Sequence, residues 1–277
     1  MALSVHTNQA ALIALQNLNK TSTNLNEVQN RISTGLKVQN AKDNASVWGI
    51  AQGQRADIGA LSAVKMSLDR ATSITDVTLT AGQSVSDLLV QVKSKVVAAM
   101  DPSIDTQSRN ALNADFQSLL KQIAQVVGSA TFDGANLLNG TQPADIQFLA
   151  SADAATFITL GVKDMTLSGS IISLGFAESL GTATAAASAL TLLNASLTAV
   201  NQALGDIGSQ AKQIENHSVF VTKLNDVLET GVGNLVDADV AKESARLQAL
   251  QVQQQLGAQA LSIANNAPQI ILSLFRN

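Results

Sequence analysis

The sequence predicts a mainly α protein, with long antiparallel helical rods, a coiled coil between the two ends of the chain and a central β-hairpin insertion. Three observations carry this. Apolar and small residues recur at alternating gaps of three and four along most of the chain, the spacing of one helical face. The exception is residues 131–181, where Gly134, Gly140, Gly161, Gly169 and Gly175 fall among period-two runs. Hydrophobic residues make up 46% of the 277 residues, yet aromatics are only 3%. The apolar content is Ala, Leu, Val and Ile, which suits long packed helices better than a compact α/β core.

The first helix is expected over residues 5–34. Ala11, Ala14, Leu18, Thr21, Leu25, Val28 and Ile32 form an unbroken heptad seam, widened by Leu12 and Leu15. Gly35 stands where a helix C′ glycine belongs, and Asp43 or Asn44 suits the N-cap of the next helix. From Ala45 to Met100 the pattern is one rod, with Ile58, Leu61, Val64, Leu68 and Ala71 continued by Ile74, Val77, Ala81, Val85, Leu88, Val92 and Val96. Asp101-Pro102-Ser103 stops it, because proline removes a ladder donor. A second rod follows over residues 106–127, with Leu112, Phe116, Leu119, Leu120, Ile123 and Val126 on one face, Thr106 as its cap and Gly128 at its end.

The β-rich stretch comes next. Residues 146–149 and 156–162 read as strands of a hairpin joined through residues 151–155, with shorter pieces at 165–167 and 171–174. After Thr182 the helical pattern returns in its cleanest form: Leu190, Leu193, Leu197, Val200, Leu204, Ile207, Ala211, Ile214, Ser218 and Val221. It fades near Gly231-Val232-Gly233. The final helix covers residues 237–276, with a stripe at Val252, Leu256, Ala260, Ile263, Ala267, Ile270 and Leu274. Gly257 and Pro268 interrupt it; a close helix approach at the first and a kink at the second weigh evenly against simple local tolerance. The order places both termini at one pole and the β region at the other.

The final helix needs a partner. Five or six medium side chains contribute on the order of 10 kcal/mol when buried, at roughly 1.5–3 kcal/mol each. Ordering its backbone costs roughly 1–2 kcal/mol per residue. The back of the helix carries Gln251, Gln253, Gln254, Gln259 and Asn265 with almost no charge, and the first helix is backed by amides in the same way. Both faces are therefore expected to meet protein. Two readings fit: core helices of an ordinary bundle, or a terminal coiled coil completed by copies of the same chain.

Several function classes are excluded. A net charge of −4 with no basic cluster argues against nucleic acid as the main partner. The absence of Cys rules out a disulfide scaffold or thiolate metal site. The N-terminus lacks the features of a cleavable signal, and no run of eighteen apolar residues supports membrane insertion. The chain is expected to be cytoplasmic, or exported by a route that reads no cleaved signal. His6 and His217 stand apart without metal-ligand spacing, and no HExxH, GxSxG, P-loop or GxGxxG element is present. No enzyme activity, cofactor or metal is expected.

Three stretches go beyond pattern. Residues 31–45, RISTGLKVQNAKDNA, resemble the N-terminal signature of bacterial flagellin. Residues 131–140, TFDGANLLNG, are similar to the turn entering the flagellin β-hairpin region. The tail, with Asp237-Ala238-Asp239, Gln253-Gln254-Gln255 and residues 264–276, is similar to the flagellin C-terminus. The resemblance implies a structural subunit that polymerises with itself into the extracellular flagellar filament and drives swimming motility, with a hook–filament junction protein of the same axial family as the alternative. It implies residues 1–40 with 235–277 as an inner coiled-coil domain, residues 41–130 with 182–234 as a helical rod domain, and residues 131–181 as its outward-facing β-hairpin region, with little or no outer variable domain. The assembly seam would be Ala11, Leu18, Leu25, Val28, Ile32, Val252, Leu256, Ile263, Ile270 and Leu274. Implied partners are the type III flagellar export apparatus, an export chaperone, the filament cap and the hook–filament junction. Thr159, Thr166, Ser168, Ser170 and Ser173 become candidates for O-glycosylation. Gln91 stands where many flagellins present an arginine read by an innate immune receptor, which implies weak recognition.

Overall fold

The structure, a computed structural model, describes residues 7–142 and 144–274, with side chains within the last helix described to residue 266. The elements are α1 (Gln9–Thr34), α2 (Ala45–Ala99), α3 (Thr106–Ser129), β1 (Ile146–Leu149), β2 (Phe157–Leu160), α4 (Ala183–Val236) and α5 (Val240–Leu274). The chain forms two compact units, one of Met1–Ala56 with Leu228–Asn277 and one of Asp57–Val227.

Helix ends follow local chemistry. Asn8 caps α1, its side-chain oxygen accepting from the Ala11 N–H; residues 5 and 6 of the expected helix lie outside the described residues. Gly35 ends α1 in the left-handed region at φ 71°. Asn44 Oδ1 accepts from the Val47 N–H and caps α2, while Asp43 Oδ2 accepts from the N–H groups of Gln39 and Asn40. Two expectations for α3 are corrected. Asp105, not Thr106, is its N-cap, accepting from the Ser108 N–H at 2.8 Å. The helix also passes Gly128 to Ser129, because Asn136 closes its end from below. Gly231 and Gly233 likewise do not end α4, which runs to Val236.

In the Asp57–Val227 unit, α2, α3 and α4 share one core of Val85, Leu89, Val92, Phe116, Ile123, Leu193 and Val200, joined by Leu138, Met165 and Leu174 from the β-rich region. The buried line on α2 runs Leu61, Val64, Leu68, Ala71, Thr75, Thr78, Gly82, Val85, Leu89, Val92, Val96 and Ala99. This is a heptad seam that admits two threonines and a glycine. The Thr75 and Thr78 hydroxyls donate back to the Ala71 and Ile74 carbonyls, each at 2.7 Å, so both residues present methyl groups to the seam. Gly82 makes room for α4: a Cβ there would lie 2.5 Å from Leu204 Cδ2. The expected α4 seam lies on the core side, with Leu193, Val200, Ile207, Ile214 and Val221 buried. That seam also accounts for an α4 that is long and apolar enough to cross a membrane by length and composition.

The 131–140 stretch closes the α3 end. Phe132 and Ala135 exchange backbone hydrogen bonds around Asp133 (φ 48°) and Gly134 (φ 76°), a tight turn needing two left-handed residues. Asn136 is buried with its side chain satisfied: it donates to the Val127 carbonyl and accepts from the Leu138 and Asn139 N–H groups. Strands β1 and β2 pair antiparallel with Ile146 opposite Leu160 and Leu149 opposite Phe157. Of the shorter pieces, Leu167 and Ile172 form an isolated bridge rather than strands.

Candidate assembly surface

The unit containing both chain ends is built on α1 lying antiparallel to α5. Three contacts set the register. Asn8 Nδ2 donates to the Ala264 carbonyl at 2.6 Å, Leu18 meets Gly257, and Arg31 reaches Glu243 Oε1 at 3.4 Å. The connections at the far end of the pair are tied together, with Lys37 N–H donating to the Val236 carbonyl and Ala238 N–H to the Gly35 carbonyl. Asp239 Oδ1 accepts from the Lys242 N–H and caps α5.

The α1 face of the pairing is the heptad seam read from sequence. Leu25 and Val28 are buried, and Ala11, Ala14, Leu18, Thr21 and Ile32 are half-buried. The α5 face is Glu243, Leu247, Leu250, Gln254, Gly257, Leu261 and Ala264, all buried or half-buried. Their gaps alternate four and three throughout, matching α1 turn for turn. Sequence reasoning passed over this line because Glu, Gln and Gly do not score as apolar. The signal that finds it is an unbroken heptad of matched length once two polar positions are allowed. Arg31 answers one of those positions: its guanidinium bridges Glu243 and Glu27. Glu243 Oε2 is buried without a hydrogen-bond partner.

The stripe expected to face α1 points elsewhere. Val252, Leu256 and Ile263 are 55%, 58% and 71% exposed. They sit one to two residues off the paired line, which rotates them out of it by helical geometry. Helix α5 therefore carries two stripes, an inner one of mixed chemistry against α1 and an outer apolar one left open. Ile270 and Leu274 lie outside the described side chains. Helix α1 repeats the arrangement, with Leu12, Ile13 and Leu15 exposed beside its buried seam.

The candidate modification sites lie in the other unit. Thr159, Ser168, Ser170 and Ser173 are exposed; Thr166 is half-buried and donates its hydroxyl to Asp164 at 2.6 Å. Three carboxyls are held below their usual range by hydrogen bonds: Asp101 by the side chain and backbone of Ser103, Asp105 by those of Ser108, and Asp153 by the Ser151 side chain and the Ala155 backbone. Each sits in a turn or cap, which identifies a structural role. His6 lies outside the described residues; His217 bonds the Ala150 carbonyl through Nε2 at 2.7 Å. Among the described residues no group of His, Asp and Glu is placed to hold a metal ion.

Comparison with known proteins gives consistent matches. Residues 5–143 match the bacterial flagellin N-terminal helical region, and residues 190–275 the bacterial flagellin C-terminal helical region. Flagellin FljJ of Caulobacter vibrioides is 58% identical over 278 residues, covering 100% of this chain and 99% of that protein. A flagellin of Brucella melitensis is 40% identical over 282 residues, covering 99% of each. Among solved structures, Bacillus cereus flagellin aligns with a TM-score of 0.50 at 20% identity, over 56% of this chain and 87% of that one. A putative flagellar hook-associated protein from Vibrio parahaemolyticus aligns with a TM-score of 0.59 at 11% identity, over 70% of this chain and 100% of that one. At such identities the two structures speak to fold alone.

Proposed function

The chain belongs to the bacterial flagellin family and is a structural subunit of the extracellular flagellar filament, and we propose that copies of it meet through the outer stripes of α1 and α5. The observation that carries this is the exposure of Val252, Leu256 and Ile263 on a helix whose other face is already paired. Six exposed residues, counting Leu12, Ile13 and Leu15, form stripes that water meets in the lone chain. Full burial of such a side chain is worth roughly 1.5–3 kcal/mol; with a little over half of their surface still exposed on average, covering them supplies about 5–10 kcal/mol per subunit toward association. Much of that is offset by the entropy of fixing subunits and side chains. A repeated, symmetric contact of this kind adds with every subunit.

The inner α1–α5 seam is thin, with Ala11, Ala14, Thr21, Gln254 and Gly257 where a self-sufficient coiled coil would place Leu or Ile. Pairing within one chain is therefore weaker than in a self-sufficient coiled coil, though Leu25, Val28 and Leu250 are buried in it, and the ends gain their full order when neighbours cover the outer stripes. Residues 1–40 with 235–277 serve as the inner domain, 41–130 with 182–234 as the rod domain, and 131–181 as the region facing outward. A chain with no Cys suits export in an unfolded form, since it cannot cross-link on the way. The type III apparatus, an export chaperone, the filament cap and the hook–filament junction are its further partners. The exposed hydroxyls of Thr159, Ser168, Ser170 and Ser173 are acceptors for O-linked sugar.

A hook–filament junction protein is not favoured: its support is a fold likeness, whereas the whole-length relatives are flagellins. The test is Leu256→Asp in purified chain seeded for polymerisation. The variant monomer keeps its helical circular dichroism and forms no filaments by electron microscopy. Normal filaments would overturn the reading.

A further inference from the structure

Within the Asp57–Val227 unit, the hairpin and one face of α4 bound an open cleft of about 740 Å³. We infer that this cleft binds a neutral carbohydrate chain. It plays no part in the assembly argument above, whose residues all lie in the other unit.

The α4 wall is a line of Ser209, Gln213, Asn216 and Phe220 at gaps of four, three and four, all exposed on one side of the helix. The opposite wall is Thr156 and Ile158 of the hairpin. His217 holds the walls in register, bonding the Ala150 carbonyl at 2.7 Å, and its ring lies 5.8 Å from that of Phe220. The cleft is thus a fixed shape rather than a gap between loose segments.

Its chemistry selects the ligand class. The side chains of Ser209, Gln213, Asn216 and Thr156 make no hydrogen bond to other described residues. Each hydroxyl and amide both donates and accepts, which matches neighbouring hydroxyls that also do both. Phe220 is 56% exposed and offers an apolar ring face to the C–H side of a sugar ring. The lining carries one charged side chain, Lys212, which reaches Glu215 on the exposed surface at 2.6 Å, so the polar groups facing the cleft are mainly neutral amides and hydroxyls. A purely apolar ligand would strip water from the amides without replacing its hydrogen bonds, a cost that argues against it. Small-molecule sites fall at about 300–1,000 Å³, so the volume suits a short oligosaccharide.

The experiment is saturation-transfer NMR on the full-length monomer with neutral trisaccharides built from glucose or N-acetylglucosamine. At least one gives signal, and the signal persists in about 1 M salt, where charge interactions are screened within roughly 3 Å. Phe220→Ala weakens binding about tenfold, the loss expected for an aromatic platform worth about 1.4 kcal/mol. Asn216→Ala weakens it as well, while Met66→Ala, on α2 and outside the cleft, leaves it unchanged. If Phe220→Ala alters the circular dichroism, Thr156→Arg blocks the cleft from the hairpin side and abolishes the signal. The proposal is overturned if no saccharide binds, if Phe220→Ala or Thr156→Arg binds as wild type does, or if salt removes the signal. Displacement of the sugar by a neutral extended peptide at lower concentration would make the cleft a peptide groove and overturn it too.

Discussion

Gly257 of α5 faces Leu18 of α1 so closely that a Cβ on residue 257 would stand 3.3 Å from Leu18 Cδ1. Leu18 must yield by a few tenths of an ångström to admit even a methyl group. Gly257→Ala should therefore be near neutral. It gains about 0.5–1 kcal/mol of helix propensity and spends some of it on moving Leu18. Gly257→Val drives branched carbons at Leu18 Cβ and should part the helices. Filament yield after seeding is the measurement: close to wild type for alanine, absent for valine. Normal filaments from the valine variant would show that the close approach is dispensable.

The two stripes of α5 should fail in different ways. Leu250→Ala empties a buried position on the inner seam and costs about 2–5 kcal/mol, the range for core leucine truncation. Protection of α1 amides from hydrogen exchange should fall in the monomer itself. Val252→Asp or Ile263→Asp on the outer stripe leaves monomer protection unchanged and raises the critical concentration for polymerisation. Equal effects of Leu250→Ala and Ile263→Asp on the monomer would merge the stripes into one.

The lowered carboxyl pKa values give a pH dependence with a definite sign. Asp101, Asp105 and Asp153 hold their charge more firmly folded than unfolded. Their stabilising contribution is present above the ordinary carboxylate range, about pH 4, and is lost as pH falls through their folded values. Asp105→Asn keeps an N-cap but does not titrate. Its melting midpoint should drop less than that of the wild type between about pH 5 and about pH 3. An identical drop would remove Asp105 from the acid response.

Gln91 is exposed on α2, and we propose that it takes the place of the arginine that the sequence resemblance implies for many flagellins at this point, the one read by an innate immune receptor. Monomeric protein should activate reporter cells bearing that receptor weakly, and Gln91→Arg should raise activation. Arginine supplies a planar fork of donors that glutamine lacks. Strong activation by the natural chain would contradict this.

Arg109 is buried, with its guanidinium on the Ala99 and Asp101 carbonyls at the end of α2. Arg109→Met should cost about 1–3 kcal/mol, because it leaves those acceptors without a donor. Denaturant unfolding of the monomer reads it. A change within error would mean that water replaces the guanidinium freely.

By itself the sequence determined the helices, the hairpin and the order in which they occur. Periodicity is local, and Gly35, Asn44 and the 131–140 turn act on their own backbone within a few residues. It also identified the α1 seam, whose apolar and small residues are uninterrupted. Only the tertiary structure decided which face of each partner answers. On α5 the apolar stripe of Val252, Leu256 and Ile263 is not the one that pairs, because the matched register with α1 selects Glu243, Gln254 and Gly257 alongside Leu250. On α2, Thr75, Thr78 and Gly82 belong to the core for the same reason. A hydroxyl that bonds its own helix behaves as an apolar group, and a missing side chain makes room for Leu204. Both effects depend on what lies opposite, and hydrophobic spacing along a single strand of sequence carries no record of that.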